Sequence, residues 1–303
     1  MLVSMSIESP YAALLAAIPT HRHETTILGS LTRYWVYGPE DAAVTIVIAH
    51  GYRGEHHGIE PIIAQLPDIR FISPDLPGFG ESTPLTEVRH TVEGYAWWLT
   101  AFAGEVGGGG RAVILGHSFG SIVASCAVAG ALETPALILV NPIAISGLAG
   151  PKKFATKVTV AYYDLASRLP EALGHRLLNS WVVVQTMSSI MAKTRDRKLR
   201  RWIHREHHTF FSRYANRDTV VDGFRASVST DVSAFAARIT VPTLLLAARL
   251  DDITPISAQY DLHRLLPNAT LRILENVGHL IHYEVPGLAA DAITGFLAER
   301  REP

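Results

Sequence analysis

The chain is poor in cysteine, in charge and in long apolar runs, and each shortage excludes something. Cys126 is the single cysteine among 303 residues, so no intramolecular disulfide can form and nothing asks for an oxidising compartment. It follows Ser118 by eight positions, where a small core thiol on a helix is expected. Charged residues make up 18% of the chain and nearly cancel. The formal net charge of −1 supplies no overall reason to expect nucleic acid or an anionic membrane as partner. No apolar stretch approaches the roughly 18 residues of a membrane span. Residues 1–8, MLVSMSIE, lack the basic start, apolar centre and small-residue cleavage site of an export signal, so the expected location is the cytoplasm. Hydrophobic residues reach 48%, which predicts a large buried core and argues against disorder. The length suits about two domains of roughly 150 residues, or one large α/β domain carrying an insertion.

Apolar periodicity supplies the organisation. Thr25 to Leu28 and Arg33 to Tyr37 read as two short strands joined at Gly29-Ser30. Val44 to Ala49, Arg70 to Ser73, Ala112 to Leu115, Ala136 to Val140, Thr243 to Ala248 and Thr270 to Leu274 are short apolar runs, the pattern of strands buried on both faces of a parallel sheet. Helix-length segments alternate with them at Gly58 to Leu66, Thr91 to Val106, Phe119 to Ala131, Ser257 to Leu266 and Gly287 to Arg300. That alternation predicts an α/β, doubly wound, mostly parallel sheet. Residues 143–240 interrupt it. They hold 16 Lys/Arg and 7 Asp/Glu, a net of +9, and their apolar residues recur at helical spacing, as in Leu165, Leu169, Ala172 and Leu173. A helical insertion over the carboxyl ends of the strands is expected. Gly107 to Gly110 precede a strand rather than follow one, so they read as a connection and not as a phosphate cradle.

Chemistry concentrates at Gly116-His117-Ser118-Phe119-Gly120. A strand leading into Gly-x-Ser-x-Gly and on into a helix is the context of a nucleophile elbow, in which glycines two positions either side of the serine relieve a tight turn. A serine hydroxyl needs a neighbouring base, and the base needs a third group to hold its tautomer. His279, after the last expected strand and beside Gly278, is the base expected. Asp251, in the loop after the penultimate strand, is the favoured acid, because Pro255 four residues later starts the next helix. Asp252 stays open as an alternative. Asn141, at the end of the Val140 strand, is set aside, since an amide cannot stabilise an imidazolium as a carboxylate does. Oxyanion donors are expected from the backbone N–H of Phe119 and of Tyr52, the latter in the loop His50-Gly51-Tyr52-Arg53-Gly54.

Taken together these residues resemble the α/β-hydrolase superfamily in its capped form. The resemblance rests on His50-Gly51 with Gly54, on Asp75-Leu76-Pro77-Gly78-Phe79-Gly80-Glu81-Ser82, on the Gly116 to Gly120 elbow, on the Asp251 loop and on Gly278-His279, in that order along the chain. It implies an α/β-hydrolase fold with residues 1–142 and 241–303 as the core and 143–240 as a helical cap. It also implies that Asp75 caps a structural loop beside the site, with Gly78 and Gly80 serving its turn. The cap matches no named subfamily. Relatives that attack with a carboxylate, the haloalkane dehalogenases and epoxide hydrolases, are excluded by the serine at position 118.

The expected activity is hydrolysis of a carboxylic ester of a small to medium apolar substrate through an acyl-enzyme, with no cofactor and no metal. Cleavage of a carbon–carbon bond in a ketone-containing acid, amide or lactone hydrolysis, and binding without turnover are the alternatives. The expected partner is a small molecule bearing an acyl group, with no nucleic acid and no membrane span. Oligomeric state is open, a homodimer included. Arg53, His50, His117 and Trp181 are candidate substrate contacts. Arg53 pairs with a substrate carboxylate or faces solvent, and Tyr162 and Tyr163 line a pocket or pack in the core. His204 and His208 lie one helical turn apart, but Arg205 stands where a zinc protease helix carries glutamate, so a solvated cationic helix is favoured. The run from Lys193 to Arg205 is read as a solvated basic face or as a rim attracting an anionic substrate.

Overall fold

A computed structural model describes residues 8–149 and 153–299. Its eight strands are β1 (Thr20–Ile27), β2 (Ser30–Tyr37), β3 (Thr45–Ala49), β4 (Arg70–Pro74), β5 (Val113–His117), β6 (Leu137–Val140), β7 (Thr243–Ala248) and β8 (Ala269–Leu274). They form one sheet in the order β1-β2-β4-β3-β5-β6-β7-β8. The pairs β1/β2 and β2/β4 are antiparallel, and every later pair is parallel. The doubly wound, mostly parallel sheet expected from the alternating pattern is therefore present.

Side-chain alternation shows why the apolar runs are continuous. Ile46, Ile48, Leu115, Ile138, Leu244 and Leu246 pack on one face of the sheet with Ala289, Ala290, Ile293 and Phe296 of the helix Pro286–Ala298. Val47, Ala49, Ile114, Leu139 and Leu245 pack on the other, against Trp98, Leu99 and Phe102 of Val92–Val106 and Ile122 and Val123 of Phe119–Val128. With both faces covered, a polar side chain on a strand is costly unless it finds a partner, and the runs are mostly apolar. Val92–Val106 starts where Thr91 accepts a hydrogen bond from Gly94 N–H at 3.2 Å, satisfying one of the helix's free N-terminal donors.

The opening hairpin differs from the sequence reading. β1 begins at Thr20, and Ile27 pairs with Ser30, so the turn residues are Leu28 and Gly29 with φ of 47° and 74°. Two left-handed residues match the right-handed twist of a tight hairpin. The early part of β1 is a polar, exposed edge, and polar residues on a solvated edge carry no apolar signal.

Between β6 and β7 the chain makes the helices Lys153–Arg168, Glu171–Leu178, Trp181–Met191, Arg197–Phe210, Arg217–Ser229 and Ser233–Ala236. Asp196 caps the fourth by accepting from Lys198 N and Leu199 N, and Asn216 caps the fifth by accepting from Thr219 N. The loop after β4 clasps this segment. Gly80 N donates to Arg213 O, Ala215 N donates to Gly78 O, and Phe79 and Tyr214 form an antiparallel bridge. No helix among the described residues is long and apolar enough to cross a membrane.

Candidate active site

Strand order fixes where a site can form. The chain leaves β3 for β4 on one side and returns to β5 on the other, so the loops after β3 and β5 diverge and leave a crevice at the carboxyl end of the sheet. Ser118 follows β5 immediately and has φ 52° and ψ −117°, a left-handed backbone unusual for a residue with a Cβ. The flanking glycines make that turn possible. A Cβ on Gly120 would lie 1.9 Å from Ala49 O, and one on Gly116 would lie 2.5 Å from Gly120 O. Both obstacles are backbone, so neither can move aside.

Loops after β7 and β8 bring the other two groups. His279 Nδ1 donates to Asp251 Oδ2 at 2.8 Å, which leaves Nε2 unprotonated to accept from Ser118 Oγ, also at 2.8 Å. Asp251 Oδ1 accepts from Ile253 N at 2.7 Å and Thr254 N at 3.2 Å, while its side chain is 1% exposed. Burial alone would push this carboxyl up. The His279 imidazole and those two N–H groups outweigh it and hold the carboxyl below its usual range, so it stays ionised. Asp252 instead pairs with Lys193 Nζ and is about one-third exposed. The geometry thus brings Ser118, His279 and Asp251 together and leaves Asp252 outside the chain of hydrogen bonds.

Asn141, set aside as an acid, has a part the sequence did not suggest. Its Nδ2 donates to Asp251 Oδ2 at 3.1 Å, the same oxygen that accepts from His279 Nδ1. It is fully buried with φ 47°, and its own N–H donates to Leu246 O. Its place at the end of β6, one strand away from the acid loop, was the available signal.

Tyr52 and Phe119 flank the serine. A Cβ on Gly51 would lie 3.3 Å from Ser118 Cβ, so the β3 loop runs against Ser118. Among the described residues neither the Tyr52 N–H nor the Phe119 N–H has an acceptor. Phe119 opens the helix Phe119–Val128, whose dipole adds positive potential at that point. Its ring is buried edge-on to Tyr95, away from the cavity.

Above these groups lies a cavity of about 760 Å³, within the range of small-molecule sites. Ser118, His279 and Tyr52 share it with apolar residues of the insertion, among them Met187, Ile190, Phe211, Phe224 and Val228. Tyr163 stacks on Phe224 with ring centroids 4.0 Å apart, and Tyr52 OH donates to Val220 O, joining the β3 loop to the insertion.

The four candidate substrate contacts divide. Trp181 is not at the cavity: it is 65% exposed and stacks on His208. Sequence reading misplaced it because its helix turns Val184, Ser188 and Met191 inward instead. His50 reaches the cavity, but Nδ1 donates to Gly51 O and Nε2 accepts from Leu76 N, leaving no ring nitrogen for a substrate. Arg53 is neither solvent-facing nor free. At 2% exposure it spends its guanidinium on Phe211 O, Leu178 O and Asn179 Oδ1, with Phe211 and Tyr214 rings against it. It ties the β3 loop to the insertion. His117 does line the cavity, with Nε2 lacking a partner among the described residues.

His204, His207 and His208 of the insertion are absorbed by local partners. Ser188 Oγ bridges His204 and His207, and His208 meets Gln185. Glu55, His56 and His57 lie close enough to hold a cation, yet His56 pairs with Asp75 and His57 with Glu55. Asp75 is wholly buried and also accepts from His56 N and Glu81 N, which fixes the loop beside the site.

Buried neutral imidazoles are expected to make the protein acid-sensitive. Burial, with His279 nearby, lowers His117 to about 3. Burial, with His204 nearby, lowers His207 to about 3. Unfolded histidine titrates near 6.5, so from there down to about 3 the unfolded chain binds protons that the folded one refuses, at about 1.4 kcal/mol per pH unit for each ring. The contribution of these two rings is full above pH 6.5 and falls below it. The depressed Asp251 and Asp75 carboxyls add their loss only below about pH 4. The thermal midpoint is expected to drop by roughly 5–10 °C between pH 7 and pH 5. A midpoint unchanged over that span would mean that these rings are already charged in the folded state.

Comparison with known proteins agrees with this architecture. Residues 44–286 match the family model described as alpha/beta hydrolase fold. The chain is 26% identical over 254 residues to a 2-hydroxy-6-oxononadienedioate/2-hydroxy-6-oxononatrienedioate hydrolase of Cupriavidus pinatubonensis, covering 80% of this chain and 82% of that protein. It is 26% identical over 262 residues to a pimeloyl-[acyl-carrier protein] methyl ester esterase of Vibrio atlanticus, covering 82% and 91%. A shorter match, 36% identical over 85 residues, spans 28% of this chain and only 33% of a Pseudomonas syringae pv. syringae protein named "Putative carbamate hydrolase RutD". Among solved structures, the enol-lactonase of Burkholderia xenovorans LB400 superposes with a TM-score of 0.75 at 18% identity, over 91% of this chain and 100% of that one.

Proposed function

Starting from the fact that the chain belongs to the alpha/beta hydrolase fold family, we propose that it is a serine hydrolase cleaving a neutral carboxylic ester with an apolar acyl part. The observation that carries the reading is the hydrogen-bonded chain Asp251–His279–Ser118 at the floor of an apolar cavity. His279 takes the Ser118 proton as Oγ bonds to the ester carbon. The N–H groups of Phe119 and Tyr52 receive the charge that collects on the carbonyl oxygen, each worth roughly 10²- to 10³-fold in rate. The C–O bond to the alcohol breaks with His279 returning the proton. A water deprotonated by His279 then splits the acyl-enzyme and releases the acid. Residues 143–240 act as the cap that walls the acyl site.

Charge separates this reading from carbon–carbon bond hydrolysis of a ketone-containing acid. Arg53 is the single Lys or Arg among the described residues lining the cavity, and its donors are committed to the insertion's carbonyl and amide oxygens. Glu55, Glu206, Asp251 and Asp252 also line the cavity, so a substrate carboxylate inside it finds no free cation and meets repulsion. A panel of p-nitrophenyl esters tests this. Butyrate and hexanoate esters are expected to exceed a hemisuccinate ester at least tenfold in kcat/KM, and a ketone-acid, an amide and a lactone are expected to react more slowly than either neutral ester. Preference for the hemisuccinate or the ketone-acid would overturn the assignment.

A further inference from the structure

Two helices of the insertion turn large apolar side chains to solvent where a solvated helix face should be polar. Along Lys153–Arg168 the exposed positions among the described residues are Phe154, Lys157, Val158, Ala161, Leu165 and Arg168, one stripe at three- and four-residue spacing. Phe154 is 78% exposed, Val158 57% and Leu165 53%. The helix Trp181–Met191 likewise turns Trp181, Val182 and Ile190 to solvent. These helices flank the entrance to the cavity. Thr156 and Thr159 of the first line it, as do Met187 and Ile190 of the second. Ile190 and Ile253 both line the cavity and reach solvent, which marks the mouth. An exposed apolar surface around a cavity mouth signals an interaction site.

Charge says what covers it. The near-zero net charge of the chain conceals a strong polarity: residues 143–240 carry 16 Lys/Arg against 7 Asp/Glu, and the remainder carries 11 against 21. A second copy docked face to face would bring two cationic surfaces together. An anionic plane attracts the insertion, repels the rest, and so orients the mouth toward itself. Lys157 and Arg168, interleaved with Phe154, Val158 and Leu165, are the arrangement of an interfacial helix that lies on a lipid surface rather than crossing it.

We propose that the outer faces of Lys153–Arg168 and Trp181–Met191 dock peripherally on an anionic lipid bilayer and present the cavity mouth to amphiphilic molecules in it. Docking stands without the hydrolase reading; only the delivery of substrate rests on it. The test is co-sedimentation of the full chain with vesicles of equimolar phosphatidylglycerol and phosphatidylcholine, and with vesicles of phosphatidylcholine alone. Partitioning to the anionic vesicles is expected to be at least tenfold stronger and to weaken with added salt. The double variant Phe154→Glu/Val158→Glu is expected to lose that partitioning tenfold or more while hydrolysing a dissolved p-nitrophenyl ester within twofold of wild type. Lys157→Glu/Arg168→Glu is expected to lose the preference for anionic vesicles. Trp97→Glu, at an exposed position on the core helix Val92–Val106, and Ser118→Ala are expected to bind as wild type does. Failure to sediment, equal binding to both vesicles, retention by the Glu double variant, or a dimer in solution that this variant dissociates would each overturn the proposal.

Discussion

Ser118→Ala is expected to lower kcat on a p-nitrophenyl ester by about 10⁶-fold and to leave the fold intact, the loss seen where such a nucleophile works as a unit with its base. The size follows from what remains. Without Oγ, the His279 ring has nothing to deprotonate at 2.8 Å, and the cavity and the two N–H groups supply only the residual positioning and charge stabilisation. Stability should barely move. Ser118 is partly exposed, its Oγ makes its bond to His279 alone, and alanine at φ 52° meets the same backbone strain that serine already bears. The thermal midpoint is therefore expected within about 3 °C of wild type, corresponding to roughly 1 kcal/mol. Adding His279→Ala to this variant should cost little more, because the two groups act in one step. A variant that unfolds, or one that keeps a tenth of the activity, would contradict this account of Ser118.

Asp251→Asn is expected to lower kcat by about 10⁴-fold, whereas Asp252→Asn stays within a few-fold of wild type. The neighbouring acids differ in what they touch. Asp251 is 1% exposed, accepts a hydrogen bond from His279 Nδ1, and is held by Asn141 Nδ2 and two backbone N–H groups. An amide in its place can turn its NH₂ toward Nδ1. That forces the proton to Nε2, where it blocks acceptance from Ser118. Asp252 pairs with Lys193 near the surface, and loss of such a pair is worth about 0–1 kcal/mol. Steady-state kinetics of both variants decide the matter. Equal losses, or a larger one at Asp252, would reassign the acid.

Much of this was legible before any coordinates because it is written in steric and burial patterns. A strand covered on both faces is mostly apolar, so β3 to β7 announced themselves as runs. The glycines at 116 and 120 are forced by backbone lying within 2.5 Å of where a Cβ would be. What failed to show depends on long-range partners. The early part of β1 is polar because it is an exposed edge. Arg53 reads as a free cation until Leu178, Asn179 and Phe211, more than a hundred positions on, take its donors. Asn141 reads as a failed acid until Asp251, also distant, turns out to be its acceptor. Trp181 is an aromatic at helical spacing, and spacing alone does not say which face of a helix is turned to solvent. The exposed apolar stripe on Lys153–Arg168 was hidden for the same reason.

The central claim is that the Ser118 hydroxyl is made nucleophilic by its neighbours, and covalent labelling reads that directly. A fluorophosphonate reacts with an activated serine by forming a bond from Oγ to phosphorus with loss of fluoride, and peptide mass mapping locates the adduct. The account predicts stoichiometric labelling of the peptide carrying Ser118, lost in Ser118→Ala and strongly slowed in His279→Ala. Native protein that stays unlabelled, or an adduct on any residue other than Ser118, would contradict it.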